Sequence, residues 1–398
     1  MATMLLKGGR IFLHGEFLEK DILIDAEKIL SIANSITADV KPFDASGLVI
    51  IPGLIDPHVH LREPGAEYKE DFFTGTKAAI AGGFTTVIDM PNNQIATTTR
   101  ERLEQKQTLA GKKAKCDVFF HFGTTDDNFT EVKKADPISL KVYMGKSTGE
   151  LMLRKKESLQ RHFSNFPKTR PIVLHTSGDS EEESRSIAYS CQNIKQAIDI
   201  ADGRCLHLAH ASTKAEVELA KTYAGFTFEI APHHLFLSQK DKEKLGYLGT
   251  VYPPLRSEEQ RKMLWEVLPF ADCIASDHAP NTVEDKEGGA RGFAGLETAL
   301  SLMLDAYTKK LVKLEWIVQR MSEQPARIFG LKDAGNVKEG AVANLTIVNL
   351  KKEWKVKGEE LFTKCKWSPF DGKTLKGKVQ SVIFRGEQIF EEGEFATK

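Results

Sequence analysis

Little in this chain could staple it together covalently or with a thiolate-bound metal. It has only five cysteines, Cys116, Cys191, Cys205, Cys273 and Cys365, an odd number with no CxxC pair. That excludes a disulfide framework and a cysteine zinc cage, and predicts reduced core thiols in a cytoplasmic protein. Charge of one sign is lacking as well: 55 Lys plus Arg stand against 55 Asp plus Glu. A balanced chain has no bulk attraction for nucleic acid or for an anionic membrane, so neither is an expected partner. No apolar run approaches membrane-span length, and the opening "MATMLLKGGRIFLHGEF" turns polar too soon for a signal peptide. No GxGxxG follows the first central strand, so a dinucleotide-binding fold would lack its phosphate loop.

What is present falls into three parts. Residues 1–50 and 336–398 read as short alternating strands broken by glycine, such as "LLKGGRIF" and "GKVQSVIFRGEQIF". The two ends are expected to pair as one small β-sandwich domain. Residues 51–335 instead alternate apolar runs of strand length with charged stretches of helical length. The runs lie at 53–59, 85–91, 117–123, 139–145, 171–176, 205–210, 226–232 and 272–278. Eight such units predict an α/β fold, a closed (β/α)8 barrel of the TIM type.

In such a barrel the chemistry gathers at the carboxyl ends of the strands. Here the first run ends in His58 and His60, the fourth carries Lys141, the fifth ends in His175, the sixth in His210 and the eighth in Asp277. His58 and His60 alternate onto one face of their strand, and two neutral imidazoles converging on one point suit a divalent metal. Four imidazoles and a carboxylate are enough for two ions. A lysine among them makes sense if its amine takes up carbon dioxide and becomes a metal-bridging carbamate. A neutral chain that binds a small anion needs a local cation, and Arg62 lies two residues past His60.

The stretches "GLIDPHVHLREPG", "YKEDFFTGTKAAIAGGFTTVIDMPN", "APHHLFLS", "ASDHAP" and "GFAGLET" resemble the cyclic amidohydrolases, and among them the dihydroorotases. They are most similar to the type fused into the animal multifunctional pyrimidine-synthesis protein. The resemblance implies reversible cyclisation of N-carbamoyl-L-aspartate to L-dihydroorotate. It makes His58, His60 and Asp277 ligands of one Zn2+, with His175 and His210 on a second and carboxylated Lys141 bridging them. Asp277 would also be the catalytic base. Arg62 and Asn92 would hold the substrate carboxylate, and Ser147 and Thr148 would lie in a loop whose hydroxyls approach the substrate. A homodimer, and association with other pyrimidine-pathway enzymes, are the expected partnerships.

The chain also departs from the family pattern. Where dihydroorotases usually read DHAPH, with the last histidine on the substrate carboxylate, this chain has Asn281, expected to bind substrate there through one donated hydrogen bond but without positive charge. "HTSGD" replaces the usual HAE after the fifth strand, and Tyr252 stands before "PPLR" where a polar residue is common. Two rival readings follow: an allantoinase- or hydantoinase-type enzyme, and a catalytically inactive scaffold. Keeping all six ligands speaks against the scaffold. Among the remaining polar residues, His207 is expected on the strand face opposite His210. His233, His234, His278 and Asp89 are expected to support the site, and Glu229 has no evident role.

Overall fold

The computed structural model describes residues 3–145, 151–153, 155–178 and 186–396. Eight parallel strands form the barrel: β1 (Leu54–Val59), β2 (Phe84–Asp89), β3 (Asp117–Phe120, continued by Phe122–Gly123), β4 (Leu140–Tyr143), β5 (Ile172–His175), β6 (Leu206–Leu208), β7 (Phe226–Ile230) and β8 (Cys273–Ile274). His121 interrupts β3, yet its backbone N–H still donates to Asp89 and keeps the strand in line. The barrel closes where Val59 bridges His278, where the His60 N–H donates to the His278 carbonyl at 2.7 Å, and where the Asp56 carboxylate accepts the Ser276 N–H. The strands are short, and β1, β2, β4 and β5 are buried on both sides as their continuous apolar runs require, while Asp117–Phe119 of β3 are half-buried. The expected barrel class therefore holds.

The head and tail of the chain meet in one sheet. Val49–Pro52 pairs in parallel with Met4–Leu13 and antiparallel with Leu345–Lys355, so nine strands from both ends are joined. Hydrogen bonding makes this one sheet. It curls until Lys28 bridges Val342, enclosing its own core of Leu6, Ile11, Ile22, Ile24, Ile50, Leu345 and Ile347. Residues of alternate parity, Phe12, Val49, Ile51 and Val348, face the other way and pack into the barrel's cluster. Both faces are thus buried, and the sheet is a buttress against the barrel. Among the described residues no helix is long and apolar enough to cross a membrane.

Segments from the tail reach the carboxyl end of the barrel. The Trp367 indole N–H donates to the Asn281 carbonyl at 2.8 Å. Buried Glu70, just ahead of the first barrel helix (Phe72–Ala81), accepts from the Thr363 hydroxyl and the Lys364 N–H. These contacts tie the loops after β1 and β8 to the tail.

Candidate active site

A cavity of about 610 Å³ opens at the carboxyl ends of the strands. His58, His60, Arg62, Asn92, Lys141, His175, His210, Asp277 and Asn281 all line it. Ser147, Thr148 and Asp179 of "HTSGD" lie outside the described residues.

Three of these side chains are aimed by backbone that ordinary residues avoid. Arg62, His210 and Asp277 have φ of 65°, 38° and 48°, each at the turn where a strand gives way to its loop. Such conformations cost about 1–3 kcal/mol each and persist where the surrounding fold enforces them. At β1 the enforcement is visible. Asp89 accepts the Leu61 N–H at 2.7 Å and pairs with fully buried Lys106 at 2.6 Å, and Lys106 also donates to the Met90 carbonyl and Asn93. Asp89 thus shapes the loop that carries His60 and Arg62.

Ligand-capable atoms of His58, His60 and Asp277 lie within 4.8 Å of one another. The Asp277 Oδ1 is 3.4 Å from Nε2 of both histidines. The His58 Nδ1 is hydrogen-bonded to Glu229, and the His60 Nδ1 approaches the Asn92 Oδ1 at 2.7 Å, so both rings turn Nε2 inward. The rings of His175 and His210 follow at 4.8 Å between centroids, and His58 and His210 at 5.2 Å. Burial, the largest influence on each, pulls the four imidazoles below their ordinary value and keeps them neutral, the ligand form.

Lys141 is buried, and its amine has no hydrogen-bond partner among the described residues. Burial draws it down to about 8, against the opposing charges of Glu229 and Asp277. The His175 Nε2 is equally buried and has no hydrogen-bond partner among the described residues. Orphaned nitrogens beside a convergent His, His, Asp set are what a divalent-metal centre leaves when only its protein groups are considered. The residues present fit such a centre. Asp277 is pushed up, mainly by burial, with His58 and His233 pulling the other way.

Two readings of the sequence need correction or completion. His207 does not point away from the site: its Nε2 lies 3.1 Å from the Glu229 carboxylate that also holds His58. Alternation fails as a guide because β6 ends at Leu208 and His210 takes a left-handed turn. His207 instead pairs in register with Val173, two residues before His175, and so occupies the layer beneath the ligands. Glu229 acquires a role from the same contacts, since it fixes the His58 ring through its far nitrogen. Burial would raise its carboxyl, but the His58 and His207 rings hold it well below the usual range. Glu229→Gln is expected to lower metal affinity about 10- to 100-fold, read by chelator competition, with near-normal affinity as the contrary result.

Other neighbours are settled by contact. His278 accepts the Gly295 and Leu296 N–H groups and shapes that loop. His233 and His234 are buried, and the His233 Nε2 and both His234 ring nitrogens have no hydrogen-bond partner among the described residues. Tyr143 packs on His175 at 5.6 Å between centroids. Tyr252 lies under the Arg291 guanidinium at 3.7 Å, so a polar group covers the place where the sequence puts an aromatic ring. Lys69 also lines the cavity; "YKEDF" gave no hint of this, because only the folded loop brings it to the rim.

Comparison with known proteins agrees with this geometry. Residues 47–141 match the model of the Dihydro-orotase-like family, and residues 174–389 that of the Amidohydrolase family. The chain is 39% identical to a dihydroorotase of Pyrococcus horikoshii, over 96% of this chain and 93% of that one. It is 34% identical to the multifunctional protein CAD of Squalus acanthias, over 94% of this chain but 16% of that much longer one. Its fold superposes with a TM-score of 0.93 on the L-hydantoinase (dihydropyrimidinase) from Arthrobacter aurescens, at 28% identity, covering 100% of this chain and 98% of that one. The chain belongs to the dihydroorotase family, within the metal-dependent amidohydrolases.

Proposed function

We propose that this chain catalyses its family's reaction, the reversible closure of N-carbamoyl-L-aspartate to L-dihydroorotate in pyrimidine synthesis, through the cavity residues above. His58, His60 and Asp277 would hold one zinc ion, His175 and His210 a second, with Lys141 between them as a carbamate. The carbamate forms when the neutral amine adds to carbon dioxide, making an N–C bond and releasing a proton. Bound there, the two ions would ionise a water and polarise the ring carbonyl.

The protein's own share is placement and proton transfer. In ring opening, water adds its oxygen to the ring carbonyl carbon and the ring C–N bond breaks. Asp277 takes the proton from the water and delivers it to the leaving nitrogen. In closure the same carboxyl runs backwards, and the amide nitrogen attacks the protonated side-chain carboxyl carbon. Arg62 orients the substrate: its Nε donates to the Pro280 carbonyl at 2.9 Å, while its two terminal amino groups have no protein partner among the described residues. That leaves a fork for one carboxylate.

The single observation that carries the substrate reading is this free guanidinium beside the ligand cluster. A hydantoinase-type enzyme acting on a neutral ring has no use for it. Zinc-loaded protein assayed on L-dihydroorotate, dihydrouracil, hydantoin and allantoin is expected to open dihydroorotate with a kcat/KM at least 100-fold above the others. Preference for a neutral ring would overturn the substrate, and silence on all four with metal bound would favour the scaffold. A cytoplasmic homodimer remains the expected form.

A further inference from the structure

We propose that Lys69 supplies the second positive charge of the carboxylate subsite, with Asn281 as the group that positions it. This rests on the substrate reading above. Asn281 stands where the resembled pattern has a histidine for the substrate, but its side chain is already committed to the protein. Its amide donates to the Ala279 carbonyl at 3.2 Å and the Arg291 carbonyl at 3.0 Å. Its carbonyl oxygen accepts from the Lys69 ammonium at 3.2 Å. The residue is buried, and both amide hydrogens are used, so it has no donor left for a ligand.

Lys69 is in the opposite condition. An ammonium has three N–H donors, and two find partners: Asn281 and the Asp285 carboxylate, also at 3.2 Å. The third has none among the described residues, and Lys69 lines the cavity. Asp285 is held in turn by the Tyr68 hydroxyl at 3.0 Å, which fixes the ammonium from the outer side of the contact.

Position relative to Arg62 completes the argument. Arg62 is anchored on the carbonyl of Pro280 and Lys69 on the side chain of Asn281, so the two cations are tied to consecutive residues of one loop. That loop is itself pinned by Trp367 to the Asn281 carbonyl. Two cations held by adjacent residues at one rim of one cavity form a clamp for a single carboxylate. The charge that a histidine would bring from position 281 arrives from position 69 instead.

The test compares Lys69→Gln, Lys69→Arg and Asn281→Ala with wild type, as zinc-loaded protein in both reaction directions. Lys69→Gln is expected to raise KM for dihydroorotate at least tenfold with kcat within threefold. Lys69→Arg, which keeps the charge, is expected to recover most of that loss. Asn281→Ala is expected to raise KM three- to tenfold, because it frees the ammonium without removing it. Equal zinc content and unfolding temperature separate these effects from misfolding. A KM unchanged in Lys69→Gln, or a loss in Lys69→Arg as large as in Lys69→Gln, overturns the inference while leaving the enzyme a dihydroorotase. A wild type that opens only neutral rings overturns both.

Discussion

Lys141→Met is expected to abolish turnover, by at least about 10³-fold, while leaving the metal-free fold as stable as wild type or more so. The two halves have different causes. Activity goes because methionine cannot form the proposed carbamate between the two halves of the candidate ligand set, so the zinc content of the loaded protein should fall as well. Stability holds because the Lys141 amine has no hydrogen-bond partner among the described residues. Burying such a group costs about 1–3 kcal/mol, and methionine fills similar space without the amine.

The sign with pH follows. The folded value is lowered to about 8 from 10.5, so below about pH 8 both folded and unfolded chains carry the ammonium and the full cost is present. Between about 8 and 10.5 the folded chain sheds the proton first, and stability of the wild type rises. The advantage of Lys141→Met over metal-free wild type is therefore greatest at neutral pH and shrinks towards pH 10. Thermal unfolding at pH 7 and pH 10, with zinc measured separately, reads both halves. A variant that keeps its zinc and its rate would remove Lys141 from the site.

The barrel and the convergence of its candidate ligands on one cavity are legible in the sequence for one reason. Each strand is a short apolar run whose polar residue comes at the exit, and a barrel gathers all exits at one end. His58, His60, Lys141, His175, His210 and Asp277 could be placed by that rule without any loop geometry. The rule weakens where strands stop being regular. Alternation misplaces His207 because β6 ends two residues before His210 turns left-handed. Lys69 and the true partners of Asn281 were invisible, since residues 212 positions apart meet only through the folding of two loops. Glu229 on β7 carries no signal in the sequence, because its role comes from His58 and His207, which converge on it only in the fold. Local pattern locates groups on strands; tertiary contact decides what loop residues do.

Asp277→Asn should cut ring opening by about 10³-fold or more, towards the upper end of what general acid–base catalysis contributes. Asparagine keeps the size and one oxygen of the carboxylate but cannot accept and return a proton. The two directions should also answer pH oppositely in the wild type. With Asp277 in its proposed role, ring opening would need it ionised and fade on the acid side, and ring closure would need the proton in place and gain there. In the metal-free chain burial pushes this carboxyl above its ordinary value, with His58 and His233 pulling the other way. In Asp277→Asn the residual rates should lose this opposition. Initial rates of opening and closure from pH 5 to pH 9, for wild type and variant, measure it directly. If the variant kept the opposed slopes, the proton would be carried by another group, and buried His233, whose imidazole pulls the Asp277 carboxyl down, would be the next residue to replace.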